Sequence, residues 1–419
     1  MSSSLEHTAS ATINPSSRHE MVLDEAARQL NAKGVLLTSL AEIAAKLGVS
    51  RAAMYYYVAD RQDLVFQCYR RAAEITARHL LEASRVGGTP ANVLKNFVTR
   101  MLDPNEPEIA ARAEIAMMNA TQRDTIQGLH DALCTRLAHL IETGQREGVF
   151  RGCDVEVNAR VIFSLVSWAP LAAPWARAIG PVGHTRLLEA ALATIFEGFA
   201  TQRALPDFKP FDLSALSPRI ASAFDRAAAL EAKREALIRE GSWLFNRKGI
   251  DATSLDEIAA QVGATKRTLH HHLGSKADLV MACYERAFKI FFFIKDRMAE
   301  YDGSHAEALT AAMHALSLVY PNPQLTPLTP TVGFGALEPA SQEKMLGYSK
   351  QLGDDYHAVI RRGIEQGSIR HVDVEARAMM LPGLSSWLVK DDVPADLAQQ
   401  QHIAREIANL VAVGLGKID

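Results

Sequence analysis

The sequence predicts an all-α protein made of two tandem copies of one unit, each a helix-turn-helix three-helix head followed by a helical body. Three observations predict it. Residues 38–72 recur at 253–287 at a constant offset of 215, with 15 of the 35 aligned positions identical. Apolar residues recur at helical spacing almost throughout, and no stretch alternates apolar and polar residues as a half-buried strand would. The repeat then resumes beyond the heads, where Gly148 aligns with Gly367 and Trp168 with Trp387. The offset there has risen from 215 to 219, so whole units are duplicated and the second has gained four residues, expected in the proline-bounded stretch 321–330.

Residues 1–17, rich in Ser, Thr and Ala without periodicity, are expected to form a disordered tail. The first head spans 18–72. Its first helix should begin near Arg18, bury Leu23, Ala26, Ala27 and Leu30, and end at Gly34; the counterpart buries Ile238, Ser242 and Phe245 and ends at Gly249. The second helix opens with Ser39 and Glu42, or Ser254 and Glu257, a pattern in which hydroxyl and carboxylate each cap the other's free backbone donor. Leu40, Ile43, Ala44 and Leu47, matched by Leu255, Ile258, Ala259 and Val262, then form one buried stripe. Gly48 and Gly263 stop it, since glycine enters the left-handed cap conformation without strain. Ser50 and Thr265 cap a third helix that buries Met54 and Val58, or Leu269 and Leu273. A fourth helix, from Asp60 or Ser275, carries Leu64, Val65, Cys68, Tyr69 and Ala72, or Leu279, Val280, Cys283, Tyr284 and Ala287.

The first body, 73–204, is helical by periodicity and broken at Pro104, Pro107, Gly148, Pro170, Pro174 and Pro181. Residues 205–232 join the copies. Pro206, Pro210 and Pro218 make their first part a stiff extended connector able to reach roughly 45 Å. Residues 219–232 then form a helix that feeds the second head, 233–287, which is followed by the second body, 288–419.

The third helix of such a head is the one that enters a DNA major groove, with its first turn at the base edges. Arg51, Ala52 and Ala53 occupy that turn in the first copy, Lys266, Arg267 and Thr268 in the second, with Tyr56 and His271 one turn on. Arg pairs bidentately with guanine, and Ala or Thr methyls meet a thymine methyl. Tyr55, Tyr57 and Arg61, and His270, His272 and Lys276, suit phosphate oxygens. A helix-turn-helix is also a compact corner in proteins that never touch DNA; two in-register copies favour the DNA role.

Each copy resembles the DNA-binding region of the TetR family of transcriptional repressors over 18–72 and 233–287. The shared pattern is a Thr-rich helix start, Ile-Ala, a Gly-Val-Ser-like turn, an aromatic-rich recognition helix and a basic residue leading a long fourth helix. Two positions depart from it: Asp60 and Arg61 stand where the family has a Ser-Lys pair, and His270 where it favours Tyr. The resemblance implies a ligand-responsive repressor, normally a homodimer with one head per chain, whose effector shifts the fourth helix. With two heads on one chain, the expectation is a monomeric pseudo-dimer, or a homodimer of chains. The last two helices of each half would meet in a four-helix interface, and two dissimilar half-sites would lie about 34 to 36 Å apart.

Composition narrows the alternatives. A net charge of −3 and a pI near 6.5 exclude a polybasic, sequence-blind DNA coat. Four cysteines without a C-x-x-C spacing argue for buried thiols rather than a zinc site or disulfide framework. His270, His271 and His272 project about 100° apart on a helix and cannot converge on one metal. No catalytic motif is present, so neither an enzyme nor a cofactor is expected. No membrane span or signal pattern is read, and the expected location is cytoplasmic. A small, largely apolar effector is expected between the body helices, with Met117, Met118, Phe163, Trp168 and Trp175 as candidate lining in the first half and Phe292, Met313, Phe334 and Trp387 in the second. The competing function is a ligand-binding or protein-interaction module whose heads no longer hold double-stranded DNA.

Overall fold

The computed structural model describes residues 15–112, 115–172, 182–217, 226–330, 332–389 and 393–417. Among them are sixteen α-helices, eight in each half. The first half has α1 (Pro15–Leu37), α2 (Leu40–Lys46), α3 (Arg51–Met54), α4 (Arg61–Val86), α5 (Pro90–Met101), α6 (Ala120–Arg146), α7 (Val155–Leu171) and α8 (His184–Phe196). The second repeats them as α9 (Arg226–Lys248), α10 (Leu255–Gln261), α11 (Lys266–Leu273), α12 (Lys276–Ala299), α13 (His305–Val319), α14 (Pro339–Glu365), α15 (Val374–Ser385) and α16 (Leu397–Val413). No strand occurs among the described residues, only isolated bridges of Phe150 with Gly416 and Ala200 with Ile369. No described helix is long and apolar enough to cross a membrane.

The heads form as their spacing requires. Leu23, Ala26, Ala27 and Leu30 are buried with Ile43, Ala44, Met54, Val58, Leu64 and Val65, and the second head buries the matching set. Cys68 and Cys283 sit in these cores, each thiol directed to a carbonyl of the head's first helix, Leu23 or Ile238. Burial pushes both thiols up to about 12.

Several local expectations are corrected. The tail expected over 1–17 is already helical from Pro15, while residues 1–14 lie outside those described. Helix α1 does not stop at Gly34: that residue turns left-handed (φ 78°) and one further turn follows to Leu37. The second helices are capped in one direction only. Ser39 and Ser254 accept from the amides of Glu42 and Glu257, but the carboxylates pair with Lys33 and Lys248, because a nearby ammonium is a stronger partner than an amide. Pro170 does not break α7 but sits in its last turn. Residues 102–112 and 115–119 are not helical apart from a short turn, Ile115–Met117, because this stretch is tied to the head above it. Of the four residues gained by the second half, three lengthen a helix: α13 has 15 residues where α5 has 12.

Each tie between head and body is made by the same residue types. Arg71 on α4 bonds Glu20 on α1 and the carbonyl of Glu108; Arg286 on α12 bonds Glu235 on α9 and the carbonyls of Gln324, Leu325 and Thr326. Asn31 donates to Ile109 and Asn246 to Pro327.

The halves meet through their last two helices, α7 and α8 against α15 and α16. Val161, Ile162, Leu165 and Val166 are buried on one side, Met380, Leu381 and Leu384 on the other. Each such side chain contributes about 1.5 to 3 kcal/mol of burial. At the far end the chains cross backbone to backbone. Phe199 and Ala200 donate to Val411 and Ala412, while Leu415 and Gly416 donate to Ile195 and Phe196, all at 2.7–2.9 Å. Gly198 and Gly414 make this possible: a Cβ on either would lie within 2.4 Å of the other half's backbone.

The connector is strapped to the second body. Phe208 is buried against the His314 ring (5.3 Å) and under the Arg405 guanidinium (4.1 Å), and the amide of Lys209 donates to the Tyr301 hydroxyl. Of the helix expected over 219–232, residues 218–225 lie outside those described, and the rest runs unbroken into α9.

Candidate nucleic-acid interface and ligand cavity

Both recognition helices present their predicted faces outward, but the two faces differ in shape and chemistry. In the first head, Ser50 caps α3 by accepting from the amide of Ala53, and Met54 anchors it. Arg51, Ala52, Tyr55 and Tyr56 are exposed, Tyr56 to 89%, which leaves a large aromatic ring free on this surface. Ala53 and Tyr57 are half-buried; the Tyr57 ring stacks on His19 of α1 at 5.9 Å and 14°, so it also serves the head's own packing.

In the second head, Thr265 caps α11, and Lys266, Arg267, His270 and His271 are exposed, with Thr268, His272 and Lys276 half-buried. Lys266 pairs with Asp256 at 3.1 Å, Thr268 bonds Thr265, and His270 Nδ1 meets the Gly274 carbonyl at 2.7 Å. Burial lowers the Lys276 ammonium pKa, partly offset by Asp251. The helices differ in length, four residues against eight, for a local reason. Gly274 ends α11 at φ 73°, a conformation that Ala59, at the equivalent position, would adopt only with strain, so the first head unwinds earlier.

The heads also touch one another. Arg61 donates to the Leu36 carbonyl at 3.1 Å and lies 4.0 Å from Asp251 of the second head. The segment after α13 reaches both heads: Gly333 packs on Ile250, and Gly335 on the Lys33 backbone and Leu37.

A cavity of about 130 Å³ lies in the second body, closed on one side by the first half. Phe288 and Phe291 of α12 form one wall, Tyr356 and His357 of α14 another, and Met379 and Ser385 of α15 a third, with Trp168 of α7 crossing from the other half. The Trp168 indole is fixed by a 2.8 Å bond to the Met379 carbonyl. Burial lowers the His357 imidazole pKa, partly offset by Glu375. His357 Nε2 and the Ser385 hydroxyl are buried without a hydrogen-bond partner among the described residues.

Of the residues singled out for an effector pocket, Trp168 and Met313 line this cavity. Met118 is buried in the first head's core with Met117 at its edge, Phe334 packs edge-on to Tyr284, and Phe292 lies beside Tyr348. Trp387 is buried away from the cavity lining. Phe163 is packed between Phe97 (5.7 Å) and His130 (6.1 Å), and Trp175 lies outside the described residues. Sequence reasoning missed Phe288, Phe291, Tyr320, Tyr356, His357 and Ser385. The aromatic run from Phe288 to Phe293, denser than a helix needs for one buried stripe, was the available signal for the first two.

A family profile described as "Bacterial regulatory proteins, tetR family" matches residues 22–68 and again 237–283, and one described as "Tetracyclin repressor-like, C-terminal domain" matches 91–199. Among curated proteins, the chain is 25% identical over 153 residues to the Transposon Tn10 TetC protein of Escherichia coli, covering 36% of this chain and 74% of that one. It is 28% identical over 135 residues to the HTH-type transcriptional regulator AcrR of Shigella flexneri, covering 29% and 63%. Among solved structures, the TetR family transcriptional regulator PfmR from Thermus thermophilus is 25% identical with a TM-score of 0.37, covering 47% of this chain and 98% of that one. AibR in complex with isovaleryl coenzyme A and operator DNA is 19% identical with a TM-score of 0.36, covering 42% and 96%.

Proposed function

Because the chain belongs to the TetR family of bacterial regulators and carries the family's DNA-binding unit twice, we propose that it is a ligand-responsive repressor acting as a pseudo-dimer on an operator with two unlike half-sites. The observation that carries this reading is the inequality of the two exposed recognition surfaces: Arg51 with two exposed tyrosines on one, Lys266, Arg267 and two exposed histidines on the other. Different donors read different bases. The crossing of the halves through their last two helices supports one chain doing the work of two subunits. The operator lies in the cytoplasm, and that is the proposed location.

Release of DNA would start at the cavity. Its wall includes Phe288 and Phe291 of α12, whose first half is packed in the second head. Pro330, also in the wall, precedes the Gly333–Gly335 contacts with both heads. A ligand that moves either element changes how the heads sit. A hundredfold release needs a preference of about 2.7 kcal/mol for the released shape.

Binding-site selection with the full chain tests the reading. The expected product is an asymmetric operator; a perfect palindrome contradicts it. On that operator, Arg267→Ala should cost about 1 to 3 kcal/mol at one base pair if the side chain reads an edge. Binding should weaken steeply with salt, and a salt-insensitive interaction would favour a module that does not hold DNA phosphates. Light scattering that found a stable dimer of chains as the only species would remove the pseudo-dimer.

A further inference from the structure

We propose that the apolar cavity in the second body is a ligand site, and that it takes an uncharged one-ring aromatic molecule carrying one hydroxyl or carbonyl oxygen, hydrogen-bonded by His357 and Ser385. The proposal rests on the effector reading above and specifies its ligand.

Size sets the first limit. A cavity of about 130 Å³ is close to the roughly 150 Å³ engineered cavity that accepts benzene. The walls set the second: Phe288, Phe291, Tyr320, Tyr356 and Trp168 offer ring faces and edges, which favour an aromatic guest. Charge sets the third. No Asp, Glu, Lys or Arg lines the cavity among the described residues, so an ionised ligand would lose its hydration without a counter-charge. His357 does not supply one. The groups facing it are Glu375 and Asp354 against Arg361 and Lys350, and burial dominates them, so the ring is held neutral.

The polar atoms set the last limit. His357 is 4% exposed and Ser385 0%, and both line the cavity with a polar atom that no described residue satisfies. Buried polar groups are almost always paired, and two unpaired polar side chains in one apolar lining mark where a ligand's polar group belongs. A neutral imidazole nitrogen and a serine hydroxyl each donate or accept, according to tautomer and rotor. One hydroxyl can satisfy both.

The corresponding place in the first half has different walls: at the offset of 219 the counterparts of His357 and Ser385 are Ala138 and Val166, whose side chains offer no hydrogen bond. Pro382 lines the cavity, and its counterpart at the offset of 219 is Phe163, a larger side chain whose ring packs against Phe97 and His130. A cavity of about 350 Å³ in the first half is lined by Arg100, Asp103, Glu106, Glu108 and His184, a charged wall unlike this apolar one, so among the described residues the proposed site occurs once, with Trp168 contributed across the interface between halves.

Titration calorimetry of the full chain with phenol, toluene and benzoate tests this. Phenol should bind at one per chain, toluene about tenfold more weakly, and benzoate at least a hundredfold more weakly. Pro382→Phe, which copies the larger residue of the first half, should abolish phenol binding while the helical circular dichroism is kept. His357→Leu should leave toluene binding but erase the preference for phenol. Two phenol sites per chain, benzoate binding as tight as phenol, no binding of any probe, or unchanged phenol binding in Pro382→Phe each overturn the proposal. A mobility shift run in parallel separates it from the effector reading: phenol bound at one site without release of DNA sinks the effector reading and leaves the site standing.

Discussion

Replacing Arg286 by Ala removes four hydrogen bonds at once. The guanidinium is buried, with Nε 2.5 Å from Glu235, Nη1 2.8 Å from the Thr326 carbonyl and 3.2 Å from that of Leu325, and Nη2 3.1 Å from that of Gln324. Glu235 is 40% exposed and recovers water when its partner goes, so little is lost there. Leu325 and Thr326 are buried, and each carbonyl left unpaired costs about 1 to 3 kcal/mol. The sum is about 2 to 6 kcal/mol, overlapping the roughly 3 to 5 found when one partner of a buried charged pair is deleted. Arg286→Lys keeps the charge but not the planar fork, and should lose about half as much. Hydrogen exchange read by mass spectrometry is the assay. The amides of Leu325, Thr326 and Thr329, bonded to Asn322 and Asn246, should lose protection, whereas residues 107–112 of the first half, held by Arg71, should not. Unchanged exchange over 324–330, or a denaturation midpoint equivalent to less than about 1 kcal/mol, would refute the idea that this arginine latches body to head.

Gly383→Ala puts a Cβ 2.7 Å from that of Trp168 and 3.2 Å from the Leu165 backbone where α15 crosses α7, and should cost about 1 to 3 kcal/mol in urea denaturation. Ser254→Ala removes the cap that accepts from the Glu257 amide and should cost about 1 kcal/mol, read as lost exchange protection at the start of α10. Burial pushes His314 down to about 4, with Arg405 adding to the effect, while the unfolded side chain titrates near 6.5. Between those values the unfolded state binds the extra proton, so stability falls as pH drops, by about 3 kcal/mol from this group near pH 4. His314→Leu should flatten the acid limb of a stability-against-pH curve, and an unchanged slope would show that His314 does not carry it. His79 and His357, also lowered by burial, leave a residual slope of the same sign.

Much of the head was legible because its signals are local. The i, i+3, i+4 stripe buried Ile43, Ala44, Ile258 and Ala259, and Ser50 and Thr265 stand where a cap must. The reciprocal caps failed because Lys33 and Lys248, nine residues upstream of the glutamates, are brought alongside them only once the first helix folds back. The third helix of the first head came out short because Ala59 stands where the second head has Gly274, a one-residue difference visible on comparing the repeats but decisive only in a backbone that needs positive φ there. Residues 102–119 carry apolar periodicity, but Arg71 and Asn31 claim their carbonyls for the head.

By itself the amino-acid order determined the two units, through a repeat legible at an offset of 215, and their helices, the outward faces of the third helices and the buried Cys68 and Cys283, through apolar spacing within a turn or two of chain. Tertiary structure alone decided that Arg61 faces Asp251, that Phe208 pins the connector, and that Trp168 of one half walls a cavity in the other. Phe163 and Pro382 occupy the same place in the repeat, and both belong on a buried helix face by any local rule. Whether such a position fills a space or borders one depends on the volumes of side chains from other helices, and no spacing along the chain encodes that sum.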